Sequence, residues 1–355
     1  MSETDAAACP VKEPLPIDAA LGKVAPREPD RIVVTGAGGF VGRRLCQTLA
    51  KRGGKLRVLV RDDRDDDFFK SLRAEIFTGD IRDPEVADWL MDGAVGVFHL
   101  ASIVQKAGVA DREFWETHVT ATRRLLEAAA RHRVKKFVHC STIGVLGHIK
   151  NPPADETAPY NTEDIYQVTK AEGERVALEL NGMNGLKVTV VRPAAVYGPG
   201  DKRMMKLFRL VATGRFRMIG SGETLIHPVY VDDLVDGMIL ARESGRSGGR
   251  VYILGGDRYV SLNEWVSIIA VEAGVAVSRM KIPYGPVRLA AGFVETALKP
   301  FGIEPPLFRR RVDFFVKNRA FSIERARSEL GYEPKISLEE GARRTLSWLR
   351  ERGLV

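Results

Sequence analysis

Tyr166 and Lys170 stand four residues apart in a stretch, Thr162 to Leu180, whose pattern predicts a long helix. That spacing places both on one helix face. A phenol ordinarily ionises near ~10, too high for a good base at neutral pH. A neighbouring ammonium favours the phenolate and lowers that value. Tyr166 is therefore a candidate general acid/base, with Lys170 as its tuner. Ser141 and Thr142 directly follow a short apolar run, Lys136–Cys140, that reads as a strand. Ligands of open α/β sheets gather at the carboxyl ends of strands, so Thr142 is placed to hold a substrate oxygen. Taken alone, such a pair also suits an ordinary helix surface, and such a hydroxyl an ordinary turn. The surrounding elements decide.

A second chemical pattern lies near the start. Thr35-Gly36-Ala37-Gly38-Gly39-Phe40-Val41-Gly42 follows the apolar run Ile32–Val34 and opens a helix expected over Phe40 to Lys51. Glycine at 36, 39 and 42 allows a tight turn, close approach to a pyrophosphate and tight helix–strand packing. The helix start then offers free N–H groups and a positive dipole end. In this strand–turn–helix setting the glycines predict a dinucleotide site. Arg61 closes the next strand, Leu56–Val60, where an arginine attracts the 2′-phosphate of NADP; the adjacent Asp62 keeps NAD open. Arg61 also reads as a solvated residue of a charged loop. Asp80-Ile81, after a third strand near Ala74–Phe77, reads either as an acceptor for the adenine amino group or as a turn cap.

Strands and helices alternate from Arg31 onward. Further strands are expected at Val95–Leu100 and Lys187–Val191, with a helix over Asp111–His132 between the fourth and fifth strands. Strands separated by helices imply parallel pairing through right-handed crossovers. The expected fold is α/β: a Rossmann-type doubly wound parallel sheet with a smaller C-terminal lobe. Residues 1–30, rich in Pro, Ala and charge, read as a disordered tail. Residues 31–193 read as the dinucleotide-binding domain. From 194 to 355 the elements shorten and read mainly as a substrate lobe. Its helix Asp232–Arg242 and strand Val251–Leu254 are expected to return to the sheet.

Composition narrows the partners. The chain has 355 residues and a formal charge of +8, but its 54 Lys and Arg interleave with 46 acids. With no long basic block, nucleic acid is not an expected partner; a small molecule is. Cys9, Cys46 and Cys140 form no C-x-x-C pair, which fits a reducing compartment without a metal site. No apolar run reaches the ~18 residues of a membrane span. The expected location is the cytoplasm.

The motifs taken together resemble the extended short-chain dehydrogenase/reductases, the group that includes NAD-dependent epimerase/dehydratase proteins. Thr35–Gly42, His99-Leu100-Ala101-Ser102, Ser141-Thr142, Tyr166-Gln167-Val168-Thr169-Lys170 and Arg192-Pro193-Ala194-Ala195-Val196-Tyr197-Gly198 occur in that group's order. Residues Phe321 to Pro334 look like its closing motif, so the resemblance covers about residues 31–352. It implies that Tyr166 moves a hydroxyl proton while a hydride passes between the substrate carbon and a nicotinamide. It implies that Thr142 orients the oxygen and that Lys170 both tunes Tyr166 and anchors the ribose. Gly36, Gly39, Phe40, Val41 and Gly42 would cradle the pyrophosphate. Leu100 and Ala101 would lie near the adenosine ribose and Pro193 near the carboxamide. Dimerisation through the two long helices is a further implication.

Departures from the group's pattern discriminate among reactions. Ile143-Gly144 stands where 4,6-dehydratases carry an Asp-Glu pair, so dehydration is not expected. His118 replaces a customary Asn, and Ile226 stands near the place of an arginine that meets the diphosphate in sugar-nucleotide members. Arg309-Arg310-Arg311 either supplies that charge or forms a solvated basic turn. With Arg61 after the second strand and an apolar C-terminal lobe, the chain is similar to the branch of hydroxysteroid dehydrogenases and dihydroflavonol reductases, which implies a secondary alcohol or a flat or apolar ketone as substrate, while Arg61 itself leans the cofactor to NADP over NAD. A nucleotide-sugar epimerase holding NAD is the alternative. Val287–Phe301 and Pro305–Phe315, apolar with flanking arginines, are expected to form the small lobe's core; a substrate pocket and peripheral membrane contact remain open for them.

Overall fold

The computed structural model describes residues 31–103, 109–278, 280–298 and 312–355. The expected tail, the Arg309–Arg311 trio and parts of both apolar segments lie outside them. Seven parallel strands form the central sheet: β1 (Arg31–Thr35), β2 (Lys55–Val60), β3 (Glu75–Thr78), β4 (Ala94–His99), β5 (Lys136–Cys140), β6 (Lys187–Pro193) and Val251–Leu254. The last follows the short strands β7 (Ala195–Tyr197), β8 (Met218–Ile219), β9 (Leu225–Ile226) and β10 (Pro228–Tyr230), and is β11. The order β11-β6-β5-β4-β1-β2-β3 reverses direction at the β1/β4 boundary, the crevice where doubly wound sheets take their ligands. The expected doubly wound sheet is the fold observed.

Alternation along the strands divides the core between the two faces. Val34 of β1 packs with Leu45 and Leu49 of α1 (Phe40–Lys51). Val33, its neighbour, faces the other way and joins Leu125 and Leu126, on the far side of the sheet. Both faces being covered, the strands read as continuous apolar runs. Each fully buried Val or Leu contributes about 1.5–3 kcal/mol. Arg57 interrupts this pattern inside β2 with a fully buried side chain. Its guanidinium donates to Glu75 at 3.0 Å and to the carbonyls of Trp89, Leu90 and Asp92 at 3.0, 3.0 and 2.6 Å. It satisfies the carbonyls at the end of the helix Pro84–Met91, where a cation is favoured.

The helix expected over Asp111–His132 is observed with a change of pitch. A π-turn, Glu116–Thr120, separates an α-helical start, Asp111–Trp115, from Ala121–Arg131. Inserted turns of this kind concentrate at functional sites. The catalytic helix of the sequence reading, which with α2 (Asp66–Ser71), α3 (Pro84–Met91), α4 (Asp111–Trp115) and α5 (Ala121–Arg131) becomes α6, runs Ile165–Glu179. It starts later than expected because Asp164 caps it, accepting from Gln167 N at 2.9 Å.

Beyond Pro193 the chain builds a second core around Trp265, Phe208, Ile269 and Leu346. Its helices are α7 (Met205–Ala212), α8 (Val231–Glu243), α9 (Leu262–Ala273), α10 (Tyr284–Leu298), α11 (Glu324–Leu330) and α12 (Leu338–Glu351). Helices α8 and α11 return to the main sheet, α8 through Leu234, Val235 and Met238 and α11 through Ala326 and Leu330. One expectation fails here. In the segment read as lobe core, Leu289 and Phe293 of α10 are each 77% exposed. Apolar composition cannot tell a buried face from an outward one when several consecutive positions are apolar. Among the described residues no helix is long and apolar enough to cross a membrane.

Helix α1 lies so close to the loop after β1 that a Cβ on Gly42 would stand 2.2 Å from the Gly36 carbonyl oxygen and 2.9 Å from Ala37 Cα. Both are backbone atoms that cannot rotate away. Gly42→Ala is expected to destabilise the chain by at least about 1–3 kcal/mol, the range for overpacking, read as a lower urea midpoint with unchanged slope.

Candidate active site

The glycine loop begins where β1 ends. Gly36 has φ +69, and a Cβ there would meet Leu100 C at 2.6 Å and Ala101 N at 2.7 Å. Only glycine lets the loop cross the end of β4 this closely. Gly39 caps α1 with no side-chain hydrogen bond, and it is exposed together with Gly38. The first N–H groups of α1 thus have no side-chain partner at their cap and face an uncluttered surface, which fits an anionic pyrophosphate. Phe40 and Val41 form the first turn of α1, both half-buried. Leu100 N donates to Thr35 O at 3.1 Å and Ala101 N to Thr35 Oγ1 at 3.3 Å, so the ends of β1 and β4 are tied side by side. Pro193 closes β6, buried beside Leu254 of β11.

Arg61 stands exposed at the end of β2, and its positive charge helps hold the Asp62 and Asp80 carboxyls below their usual range. The main cause in each case is a nearer arginine. Asp62 accepts from Arg64 Nε at 2.8 Å and caps a 3-10 turn. Asp80 accepts from Arg82 N at 2.9 Å and from Arg82 Nη2 at 2.7 Å. Asp80 thus caps its own turn. Ile81 packs half-buried on the cluster around Val33.

Tyr166 and Lys170 occupy the inner face of α6, both buried. Lys170 Nζ donates to the Cys140 carbonyl at 2.7 Å, which holds the amine at the end of β5. Burial pushes its pKa down, and the nearby Glu174 carboxylate opposes that shift. Burial also pushes the Cys140 thiol up to about 11. Thr142 caps the 3-10 turn Ile143–Leu146, its Oγ1 accepting from Gly144 N at 3.0 Å. That bond uses a lone pair and leaves the O–H to donate. A Cβ on Gly144 would stand 3.2 Å from Thr142 Oγ1 and 3.8 Å from Gln167 Cγ. The Thr142 turn and the first turn of α6 are therefore in contact, which brings the three candidate catalytic residues to one place.

Sequence reasoning assigned no role to Glu174, one turn past Lys170. It is fully buried and gathers three partners. Arg192 of β6 donates to it through Nη2 at 2.8 Å and Nε at 3.1 Å. Tyr160 OH donates at 3.0 Å, and Ser141 Oγ also hydrogen-bonds it. The available signal was spacing, since 166, 170 and 174 share one helix face.

Three buried histidines lie beneath this site. Thr122 Oγ1 donates to His118 O at 2.8 Å, so it accepts from His99 Nε2 at 3.0 Å. His99 Nδ1 then accepts from Thr35 Oγ1 at 2.7 Å. His118 stands where the resemblance led one to expect an amide. Its Nε2 accepts from Ile103 N at 3.1 Å, so Nδ1 carries the proton and donates to Thr169 Oγ1 at 2.8 Å. Its ring meets Tyr166 edge-on, centroids 5.6 Å apart. Burial lowers the pKa of His99 to about 3 and of His118 to about 2, and lowers His139 strongly.

Residues 32–255 match the NAD dependent epimerase/dehydratase family. The chain belongs to that family. It is an extended short-chain dehydrogenase/reductase, an NAD(P)-dependent oxidoreductase or epimerase. Among its relatives is a 4-hydroxy-2-methyl-3-oxo-4-farnesyl-3,4-dihydroquinoline-1-oxide ketoreductase of Stigmatella aurantiaca, 32% identical over 91% of this chain and 96% of the relative. Another is a 3 beta-hydroxysteroid dehydrogenase/Delta 5-->4-isomerase of Mycobacterium tuberculosis, 31% identical over 87% of this chain and 88% of the relative. A UDP-glucose 4-epimerase of Thermotoga maritima, solved with UDP-glucose, superposes with a TM-score of 0.73 at 26% identity, covering 91% of this chain and 99% of that one.

The histidines set a pH dependence of stability for this family member. They are neutral in the folded chain but protonate near 6.5 once unfolded. Between pH 6.5 and about 3 the unfolded chain binds more protons, so stability present above pH 6.5 is lost as pH falls. A loss of about 1 kcal/mol per histidine is expected between pH 7 and 5.5. Urea midpoints that stay flat across that window would contradict the neutral assignment.

Proposed function

We propose that this chain moves a hydride between a nicotinamide dinucleotide and the carbon of a secondary alcohol or ketone on a small, largely apolar substrate. The observation that carries the reading is the buried Tyr166–Lys170 face, with Lys170 held 2.7 Å from the Cys140 carbonyl at the carboxyl edge of the sheet. Thr142 donates its hydroxyl to the substrate oxygen and fixes it beside Tyr166. Tyr166 gives its phenolic proton to that oxygen on reduction and takes it back on oxidation. The Lys170 ammonium stabilises the phenolate left behind. Gly36, Gly39 and the first turn of α1 hold the pyrophosphate, with Leu100 and Ala101 at the adenosine ribose and Pro193 at the carboxamide. The bound nicotinamide supplies or accepts the hydride.

Two observations favour a ketone or alcohol over a sugar nucleotide. Ile226, near the diphosphate arginine position, is a buried apolar residue. The ketoreductase and the hydroxysteroid dehydrogenase are both similar over most of the chain. For the cofactor we propose NADP. Arg61 is exposed where a 2′-phosphate would lie, and Asp62 is turned to Arg64.

Tyr166→Phe is expected to lower turnover by about 10²–10⁴-fold, the share of one acid/base group, while nucleotide binding by fluorescence titration stays unchanged. Retained turnover would remove Tyr166 from its role. Arg61→Ala is expected to weaken NADPH binding by at least about tenfold, the loss of one charged phosphate contact, and to leave NADH unchanged. Equal weakening of both would sink the NADP reading. Stoichiometric NAD released on denaturation, seen by mass spectrometry, would turn the reading toward an epimerase.

A further inference from the structure

Three cations stand side by side at the amino edge of the sheet, opposite the edge that carries Thr142. Lys136 opens β5 and Lys187 opens β6, and the two are partners in register. Gly96 of β4 is the register partner of Lys136 on its other side. Registered neighbours in a parallel sheet point to one face and stand about 4.8 Å apart. Gly96 has no side chain to place there, and Arg242 of α8 fills the gap. A Cβ on Gly96 would stand 2.5 Å from Arg242 Nε and 3.1 Å from its Nη2. Glycine inside a strand marks such a close approach. The row therefore runs Arg242, Lys136, Lys187 across three strands.

No acid balances them. Among the described residues none of the three pairs with a carboxylate. Each lysine spends one N–H on the chain just after α8: Lys136 Nζ donates to Ser244 O, and Lys187 Nζ to Gly245 O at 3.3 Å. Cations suit the end of a helix, and these bonds leave two N–H groups on each ammonium. Arg242 makes no hydrogen bond among the described residues, and its Nε is buried. Burial lowers the pKa of Lys136, and Lys187 and Arg242 lower it further, with no carboxylate opposing them. The adjacent Glu243 is exposed; its charge opposes the lowering of Arg242 by burial but does not pair with it.

A partly buried cation ordinarily finds an acceptor in its own chain. Three of one sign, one of them without any acceptor, leave donors set for an anion from outside and raise its local concentration. Lysine and arginine together suit the oxygens of a phosphoryl group. The row spans two strand spacings, about 10 Å, which favours an anion of several charges. Lys136 and Arg242 are half-buried, so a small molecule can reach between the side chains where a flat surface cannot. None of the three belongs to the glycine loop or to the Tyr166 site. Lys136 lies roughly 13 Å of strand before the Cys140 carbonyl that holds Lys170.

We propose that Arg242, Lys136 and Lys187 form an anion site at the amino edge of the sheet, which takes a small molecule bearing phosphoryl groups. The test is calorimetric titration of inorganic pyrophosphate into the full chain, at an ionic strength fixed with sodium chloride and with saturating NADPH to fill the glycine loop. Pyrophosphate is expected to bind under these conditions and to raise the melting temperature as its concentration rises. Arg242→Gln and Lys187→Gln are each expected to weaken that binding by at least about tenfold, the loss of one charged phosphate contact, with NADPH binding unchanged. Lys187 is exposed, so Lys187→Gln decides the matter if Arg242→Gln fails to fold. Absence of pyrophosphate binding to the NADPH-saturated wild type, or equal affinity in the wild type and the folded variants, would overturn the site. The comparison needs no turnover, so the oxidoreductase reading and the anion site stand or fall separately.

Discussion

The buried Glu174–Arg192 pair sets the position of the helix that carries Tyr166 and Lys170. Both side chains are almost wholly withdrawn from solvent, at 0% and 4% exposure. Two charges in that setting persist only when paired and hydrogen-bonded on all sides. Here the carboxylate receives Arg192, Tyr160 and Ser141, which come from β6, the loop before α6 and the end of β5. One side chain of α6 therefore fixes the helix against the carboxyl edge of two strands. Lys170 and Tyr166, one and two turns earlier, are carried with it. A helix held by apolar packing alone could slide or rotate at small cost; one holding a buried, oriented ion pair cannot.

The histidine network extends that order to the cofactor side. Each hydroxyl in the series Thr35, Thr122 and Thr169 both donates and accepts, so the direction of every hydrogen bond is determined by the next. The end of β1, where the glycine loop begins, is joined through His99 to α5, and α5 through His118 to α6. His139, by contrast, has no hydrogen-bond partner on either ring nitrogen among the described residues. His118 lies in the π-turn Glu116–Thr120 and bonds both to the loop after β4 and to Thr169.

The C-terminal lobe follows a different rule. Its core closes around Trp265, but α10 turns its largest side chains outward. The same apolar composition serves both arrangements. What separates them is which residues are small: Ala291 and Gly292 let α10 lie close on the lobe and leave Leu289 and Phe293 to the outside.

Much of the chain was legible as sequence because its signals are local. Strand–turn–helix order, three glycines spaced by three, and Tyr166 four residues before Lys170 all depend on backbone geometry within a few residues. These determined the fold class by themselves and marked the glycine loop and the Tyr166–Lys170 pair as candidates. Tertiary structure alone decided the rest, because it depends on contacts between distant segments. Glu174 meets Arg192 across 18 residues, His118 meets Thr169 across 51, and Lys317 reaches Glu163 across 154. An apolar residue in a sequence says that it avoids water when it can; only the packed chain decides whether it can.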